Sequence, residues 1–380
     1  MVKILISNTT ILTLSSKHEL IIDNGYIFVN NGVVESVGKG EIPEEYQYPE
    51  LLLSGKGRLV MPGISSGFTK IATYPIRYAL PYVSSSDINE YLSVLTRTDV
   101  YYASLLAFTD LLYRGVTTLM ISDIFLDDIA RAANDAGLNV VLAPPINIKL
   151  RDYDPLHELK LIMQRWHGRV NNIYGGIAVY GGLDEEVLRT INEYDVKSFF
   201  IGFKELASLS NLDRNRLVLI DPYVDVVDGW NVVRTYRTLG LWRSIQGLGI
   251  GDLFTYDLID VSKELLRLGH KGLDLLFSIT TVTTSTLGFN DMGCIEEGRK
   301  ANLVMLNLSE PPGWPLLNSV NALVNAVLTG RPKVESVIVG DNILVDGGEV
   351  LSIGNDLIKK ASTRLEGIIK DLRIKGKLMF

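Results

Sequence analysis

Chemistry at a metal, a thiolate or an imidazole needs side chains that this sequence almost lacks. Its 380 residues include one cysteine, Cys294, and four histidines, His18, His157, His167 and His270. A single cysteine excludes an intrachain disulfide and any zinc cluster built on several thiolates, so Cys294 reads as a small residue near a turn. The histidines are dispersed: His157 and His167 read as one helix, His270 follows the helical stretch SKELLRLGH, and His18 falls among strands. None of them reads as a metal ligand. Gly247, Gly249 and Gly251 lack the strand, GxGxxG and helix order of a phosphate loop, and read as close backbone packing at a strand.

The elements that must position any site change character along the chain. Residues 1 to 60 alternate short apolar runs with turn signals at Asp23-Asn24-Gly25 and Asn31-Gly32, which suit tight hairpins with positive φ. From about residue 98, helical stretches alternate with short apolar strands, as in DVYYASLLAFTDLLYRG before VTTLMIS. Such alternation predicts βαβ units and a parallel sheet, and seven or eight repeats favour a closed barrel over an open sheet. Strands return at ANLVMLNL and VESVIVGDNILVDGGEV, and a charged helix ends the sequence.

Three stretches resemble the amidohydrolase superfamily, in its cytosine deaminase, adenosylhomocysteine deaminase and chlorohydrolase-like branch. IIDNGYIFVNNGVVESVG followed by GKGRLVMPGISSGF is similar to the family's approach to its barrel. MGCIEEGRKANLVMLNL, with its Gly-x-Ile-Glu-x-Gly-Arg-Lys-Ala-Asn-Leu-Val run at 293 to 304, is similar to the return to the β domain. SVNALVNAVLTGRPKVESVIVGDNILVDGGEV is similar to the final hairpins. The resemblance spans nearly the whole sequence. It implies an α/β fold, a (β/α)8 TIM-like barrel over residues 61–290, with a composite β-sandwich from 1–60 and 291–350 and a C-terminal helix in 351–380.

The resemblance also implies one divalent metal, zinc or iron, at the C-terminal mouth of the barrel, where it lowers the pKa of a bound water. Here the expected ligands are mostly replaced. The strand-one His-x-His pair aligns with Phe68 and Lys70; a phenyl group cannot ligate and an ammonium repels a cation. The strand-five His and Glu align with Gly202 and Glu205, the strand-six His with Asp221, and the strand-eight Asp with Gly251, beside Asp252. Two carboxylates and an amine could at most hold a hydrated Mg²⁺. No metal or other cofactor is therefore expected.

The same alignment suggests charge replacement, with the Lys70 ammonium in the metal's space, paired to Asp221, Glu205 or Asp252. An unpaired buried charge would cost several kcal/mol. Lys70, Glu205, Asp221 and Asp252 are accordingly the candidate catalytic residues, the lysine as base or Schiff-base former and the acids as proton carriers. Tyr74, Tyr78, Tyr82 and Tyr91 follow strand one, and either line a pocket for a planar ligand or pack a lid onto the barrel rim.

Composition narrows the partners. A formal charge of -7 argues against nucleic acid or an anionic membrane surface, and the absence of a long apolar run argues against a membrane span. The expected location is the cytoplasm, and the expected partner is a small molecule at the barrel mouth, with homo-oligomers or pairing with an active paralogue. Three functions stand: an amidohydrolase relative that has lost metal-dependent hydrolysis but can bind a ligand or partner, a C–N hydrolase or deaminase of cyclic nitrogen compounds with an altered metal site, and a non-catalytic interaction protein.

Overall fold

The computed structural model describes the chain apart from residues 1, 147, 149–152, 171, 205, 224–229, 239–245, 252–255 and 375–380. The first five strands are β1 (Lys3–Leu12), β2 (Ile21–Asn30), β3 (Val33–Lys39), β4 (Leu51–Ser54) and β5 (Arg58–Pro62). The Asn31-Gly32 hairpin forms as the sequence predicts, with φ of 49° and 76° joining β2 to β3. The turn expected at Asp23-Asn24-Gly25 does not form. Asn24 takes a positive φ of 48°, yet β2 runs on beside β1 from Leu12↔Ile21 to Lys3↔Asn30, with register shifts either side of Thr9↔Gly25. A bulge absorbs the irregular residues without reversing the strand. A Cβ at Gly25 would lie 2.6 Å from the tip of the Ile11 side chain, which would have to shift to admit it.

Eight strands then follow in order around a parallel sheet: β6 (Ile64–Thr69), β7 (Val116–Ile121), β8 (Asn139–Leu142), β9 (Ile173–Tyr180), β10 (Lys197–Ile201), β11 (Leu217–Ile220), β12 (Asn231–Arg234) and β13 (Gly247–Leu248). Every residue of β7 and β11 is buried, as strands covered on both faces require. The helices α1 (Ser85–Val94), α2 (Arg97–Tyr113), α3 (Leu126–Ala136), α4 (Pro155–Arg165) and α5 (Glu185–Glu193) lie between them in sequence. Asp154 and Asp184 cap α4 and α5 through first-turn amides.

The last strand reaches the first. Gly251 N–H donates to the Phe68 carbonyl at 2.8 Å and Lys70 N–H to the Gly251 carbonyl at 3.0 Å, so Thr69 and Gly251 form a parallel bridge that closes the barrel. Glycine at 249 permits the approach, since a Cβ there would lie 2.7 Å from the Phe68 nitrogen. His157 lies on α4, but His167 falls beyond the end of that helix, so the single helix expected to carry both is shorter than predicted. Its Nδ1 accepts from the Gly175 amide, and burial lowers the ring's pKa.

After α6 (Leu258–Arg267) and α7 (Gly272–Phe277) the chain returns through β14 (Asn302–Asn307), β15 (Lys333–Val339), β16 (Asn342–Asp346) and β17 (Glu349–Val350). These join β1 to β5 in one nine-stranded sheet through the antiparallel pairing of β14 with β5. Ile4, Ile6, Ile27, Val60, Leu303 and Ile338 share its core. Within this β domain the 293 to 304 run folds around Glu296, which accepts from Ser15 at 2.6 Å and Arg299 at 3.0 Å and pairs with Lys17. Burial alone would raise its carboxyl pKa, but these partners outweigh burial and hold it at about 2.

By compactness the chain divides into Met1–Ser65, Leu111–Thr118 and Asp257–Ser352 on one hand, and Ser66–Asp110, Leu119–Tyr256 and Ile353–Phe380 on the other. The helix Asn355–Ile374 belongs to the second unit, where Arg364 Nε donates to Asp99 at 2.5 Å. No helix among the described residues is long and apolar enough to cross a membrane.

Candidate functional site

Barrel strands deliver their chemistry at their C-terminal ends, because the loops that follow converge there. Near the end of β6, Phe68 is buried, and just beyond the strand the half-buried Lys70 holds its ammonium 5.2 Å from the centre of the Tyr180 ring and 6.0 Å from that of Phe68. Tyr180 is the last residue of β9, so the cation sits over aromatic faces from two strands. The backbone of Lys70 is fixed independently: its amide donates to Gly251, and its carbonyl accepts from the fully buried Tyr256 phenol, whose pKa burial pushes well above the usual value.

Asp221 follows β11 with a positive φ of 46°. Its Oδ1 accepts from the Thr235 amide at 2.8 Å and the Thr238 hydroxyl at 2.5 Å, and its Oδ2 accepts from the Thr235 hydroxyl. The carboxylate thus ties the end of β11 to the loop after β12. Asp221 forms no ion pair with Lys70, because all three of those hydrogen bonds turn it toward its neighbouring strand. Gly202 follows β10 with a φ of 64°, and Lys204 stacks its ammonium 5.4 Å from the Tyr223 ring. Glu205 and Asp252, the other acids expected beside Lys70, lie outside the described residues.

Three side chains at the mouth were not singled out by the sequence. Asp123, two residues beyond β7 and buried, accepts the Ile71 and Ala72 amides at 2.7 and 2.9 Å and the Ile124 amide at 2.9 Å. It acts as a backbone clamp on the segment after Lys70. Thr73 and Arg237 join Lys70 and Asp123 around a cavity of about 440 Å³, whose remaining described lining is Leu80, Pro81, Val83, Ser85, Ile88 and Leu92. The signal available in the sequence was position alone: Asp123 and Arg237 each stand within a few residues of a barrel strand's C-terminal end.

The tyrosines after strand one take neither role uniformly. Tyr74 is buried, donates to Asp110 at 3.1 Å and meets the Tyr256 ring edge-on, while Tyr91 is the one buried side chain of α1. Those two pack the lid, as one of the two readings expected. Tyr78 and Tyr82 are 69% and 82% exposed, and no tyrosine is among the described residues lining the cavity.

A divalent metal does not fit the described residues at these strand ends. Phe68, Lys70 and Gly202 offer no donor for a cation, Asp221 spends its oxygens on Thr235 and Thr238, and no three His, Cys, Asp or Glu side chains among the described residues group as a metal site.

Comparison with known proteins places this barrel among relatives. No protein family profile matches the chain. A 5-methylthioadenosine/S-adenosylhomocysteine deaminase of Dictyoglomus turgidum is 22% identical over 92% of this chain and 96% of its own length. The protein of the same name from Caldicellulosiruptor saccharolyticus is 25% identical over 97% and 99%. Among solved structures, an adenosine deaminase of Xanthomonas campestris with bound zinc superposes with a TM-score of 0.80 at 15% identity, over 97% of this chain and 98% of that one. A triazine hydrolase from Arthobacter aurescens gives 0.79 at 15%, over 96% and 99%. An eight-stranded barrel closed at Thr69 and Gly251, a β domain drawn from both sides of it in sequence, and full-length similarity to proteins named as deaminases support the resemblance to the amidohydrolase superfamily, in its deaminase and chlorohydrolase-like branch.

Proposed function

We propose that this chain is a small-molecule-binding amidohydrolase that works without the family's one-metal hydrolytic centre. What supports the reading is the end of the first barrel strand, where Phe68 and Lys70 stand at the positions to which the resemblance assigns the family's paired metal ligands. A fixed ammonium at that point opposes a divalent cation electrostatically, and a phenyl group removes a donor without leaving space for water. The mouth keeps a cavity lined by charged, hydroxyl and aliphatic groups, the composition of a ligand site.

Elemental analysis of untagged protein, before and after soaking with Zn²⁺, Fe²⁺, Mn²⁺ and Mg²⁺, tests the proposal. We expect far less than one tightly bound metal per chain, and a full equivalent would overturn it. A second reading, an active deaminase with a rebuilt metal site, is favoured by the full-length similarity to proteins named 5-methylthioadenosine/S-adenosylhomocysteine deaminase. Release of ammonia from either compound, abolished by chelator and lost in Asp221→Ala, would establish that reading in place of the first.

A further inference from the structure

We infer that the outer edge of β4 pairs, antiparallel, with the same edge of a second copy of this chain, about a two-fold axis at Leu53. β4 runs parallel to β1 from Ile4↔Leu51 to Ser7↔Ser54, and β1 is its only strand partner among the described residues. The Gly55 amide donates to the Ser7 carbonyl at 2.7 Å. Backbone groups alternate sides along a strand, so Leu51 and Leu53 face β1 as Gly55 does, and the N–H and C=O groups of Leu52 and Ser54 face outward. Such an edge is a template for another strand. The sheet's other edges are not left in this state: the Val34 amide of β3 donates to the Arg299 carbonyl and the Val37 amide to Glu297, and β17 has only two residues.

The side chains on the β4 edge are apolar where an edge facing water ordinarily carries charge or proline. Leu52 is 64% exposed, Leu51 40%, and Tyr48, just before the strand, 87%. On one face of the sheet Leu52 stands beside Leu5, and Leu5 beside Phe28. Leu5 and Phe28 are buried, with the Tyr46 ring over Phe28 at 4.4 Å between centres, but the row ends uncovered at Leu52. A strand added at this edge continues the row and covers that leucine.

Two features make this chain's own edge the occupant, and both select one register. Pairing every outward group of β4 within the strand puts Leu52 opposite Ser54 of the second copy and Ser54 opposite its Leu52, with Leu53 on the axis. That register also sets Glu50 across from Lys56 of the second copy at both ends, and both side chains are exposed. A slip of the pairing sum by two residues in one direction sets Glu50 across from Ser54, and in the other sets Lys56 across from Leu52. Charge complementarity and hydrogen bonding therefore agree. Glu50 is already held at this edge, its Oε2 accepting from the Lys3 amide at 2.6 Å. One short strand covers less than the roughly 800 Å² per partner of a stable complex, so the pairing is reversible and depends on concentration.

Sedimentation velocity of the full chain between about 1 and 200 µM tests the inference, with hydrogen exchange measured at both ends of the range. We expect the mean mass to rise from that of one chain toward that of two, and exchange at the Leu52 and Ser54 amides to slow as it does, while Leu51 and Leu53, already bonded to β1, change little. Glu50→Lys and Lys56→Glu should each weaken the dimer about fivefold or more by setting like charges opposite one another, and the two together should restore it. Leu52→Lys should leave the chain monomeric. All of these positions are exposed, and circular dichroism melts confirm that each variant is folded. A chain that stays monomeric throughout, a dimer in which Leu52 and Ser54 exchange as fast as in the monomer, or a double charge variant no stronger than the single ones would each overturn the inference.

Discussion

Glu296 is where a single side chain reports on the family's most specific sequence run. Its folded pKa of about 2 lies below the ordinary 4.5, so it contributes stability that is fully present above about pH 4.5 and is lost as pH falls toward 2. A depression of that size is worth up to about 3 kcal/mol. Glu296→Gln should therefore lower the urea midpoint at pH 7 and make almost no difference near pH 2; a loss of equal size at both values would show that packing, and not charge, is what the carboxylate provides. The run was legible as a motif because Glu296 must meet Ser15, Lys17 and Arg299, which fixes residue types in a turn. Thr73 and Arg237 were not legible, because their meeting at one cavity depends on how loops fold back from separate strands, and loops carry no periodicity.

Among the elements, the barrel strands read clearly because burial on both faces leaves near-continuous apolar runs such as VTTLMI and LVLI. The Asp23-Asn24-Gly25 segment misled because a bulge and a hairpin turn ask for the same residues, those that tolerate positive φ. Cross-strand pairing decides between them, and that is a long-range fact. The stretch from 222 to 246 was hard to divide because β12 has only four residues, Asn231–Arg234. The closing strand is shorter still and depends on backbone approach. Gly249→Ala, which would press a methyl group to 2.7 Å from the Phe68 nitrogen, should cost about 1–3 kcal/mol and accelerate hydrogen exchange at the Lys70 amide. Unchanged exchange there would mean that β13 and β6 separate without consequence for the mouth.

At the scale of the molecule, the terminal helix Asn355–Ile374 was legible as a charged helix, but its role was not. Arg364 on that helix meets Asp99, which is 1% exposed and near the start of α2. Arg364→Met leaves a buried carboxylate with only its Thr96 partners, and the thermal midpoint should fall. The double variant Asp99→Asn with Arg364→Met should recover part of the loss; if both variants fall by the same amount, the helix is held by its apolar contacts instead.

The stitching of the first barrel strand to the last also sets an order of events in time. Ile250 N–H reaches Ser66 Oγ across 184 residues of sequence, and the Tyr256 phenol reaches the Lys70 carbonyl across 186. Contacts that distant form late, since the chain between them must first give up its freedom. A ribosome that has made everything up to strand seven has therefore made none of the hydrogen bonds that fix the Lys70 backbone to strand eight and its flank. The pocket is a property of the finished chain, and a truncated product would present its lysine without the scaffold that aims it.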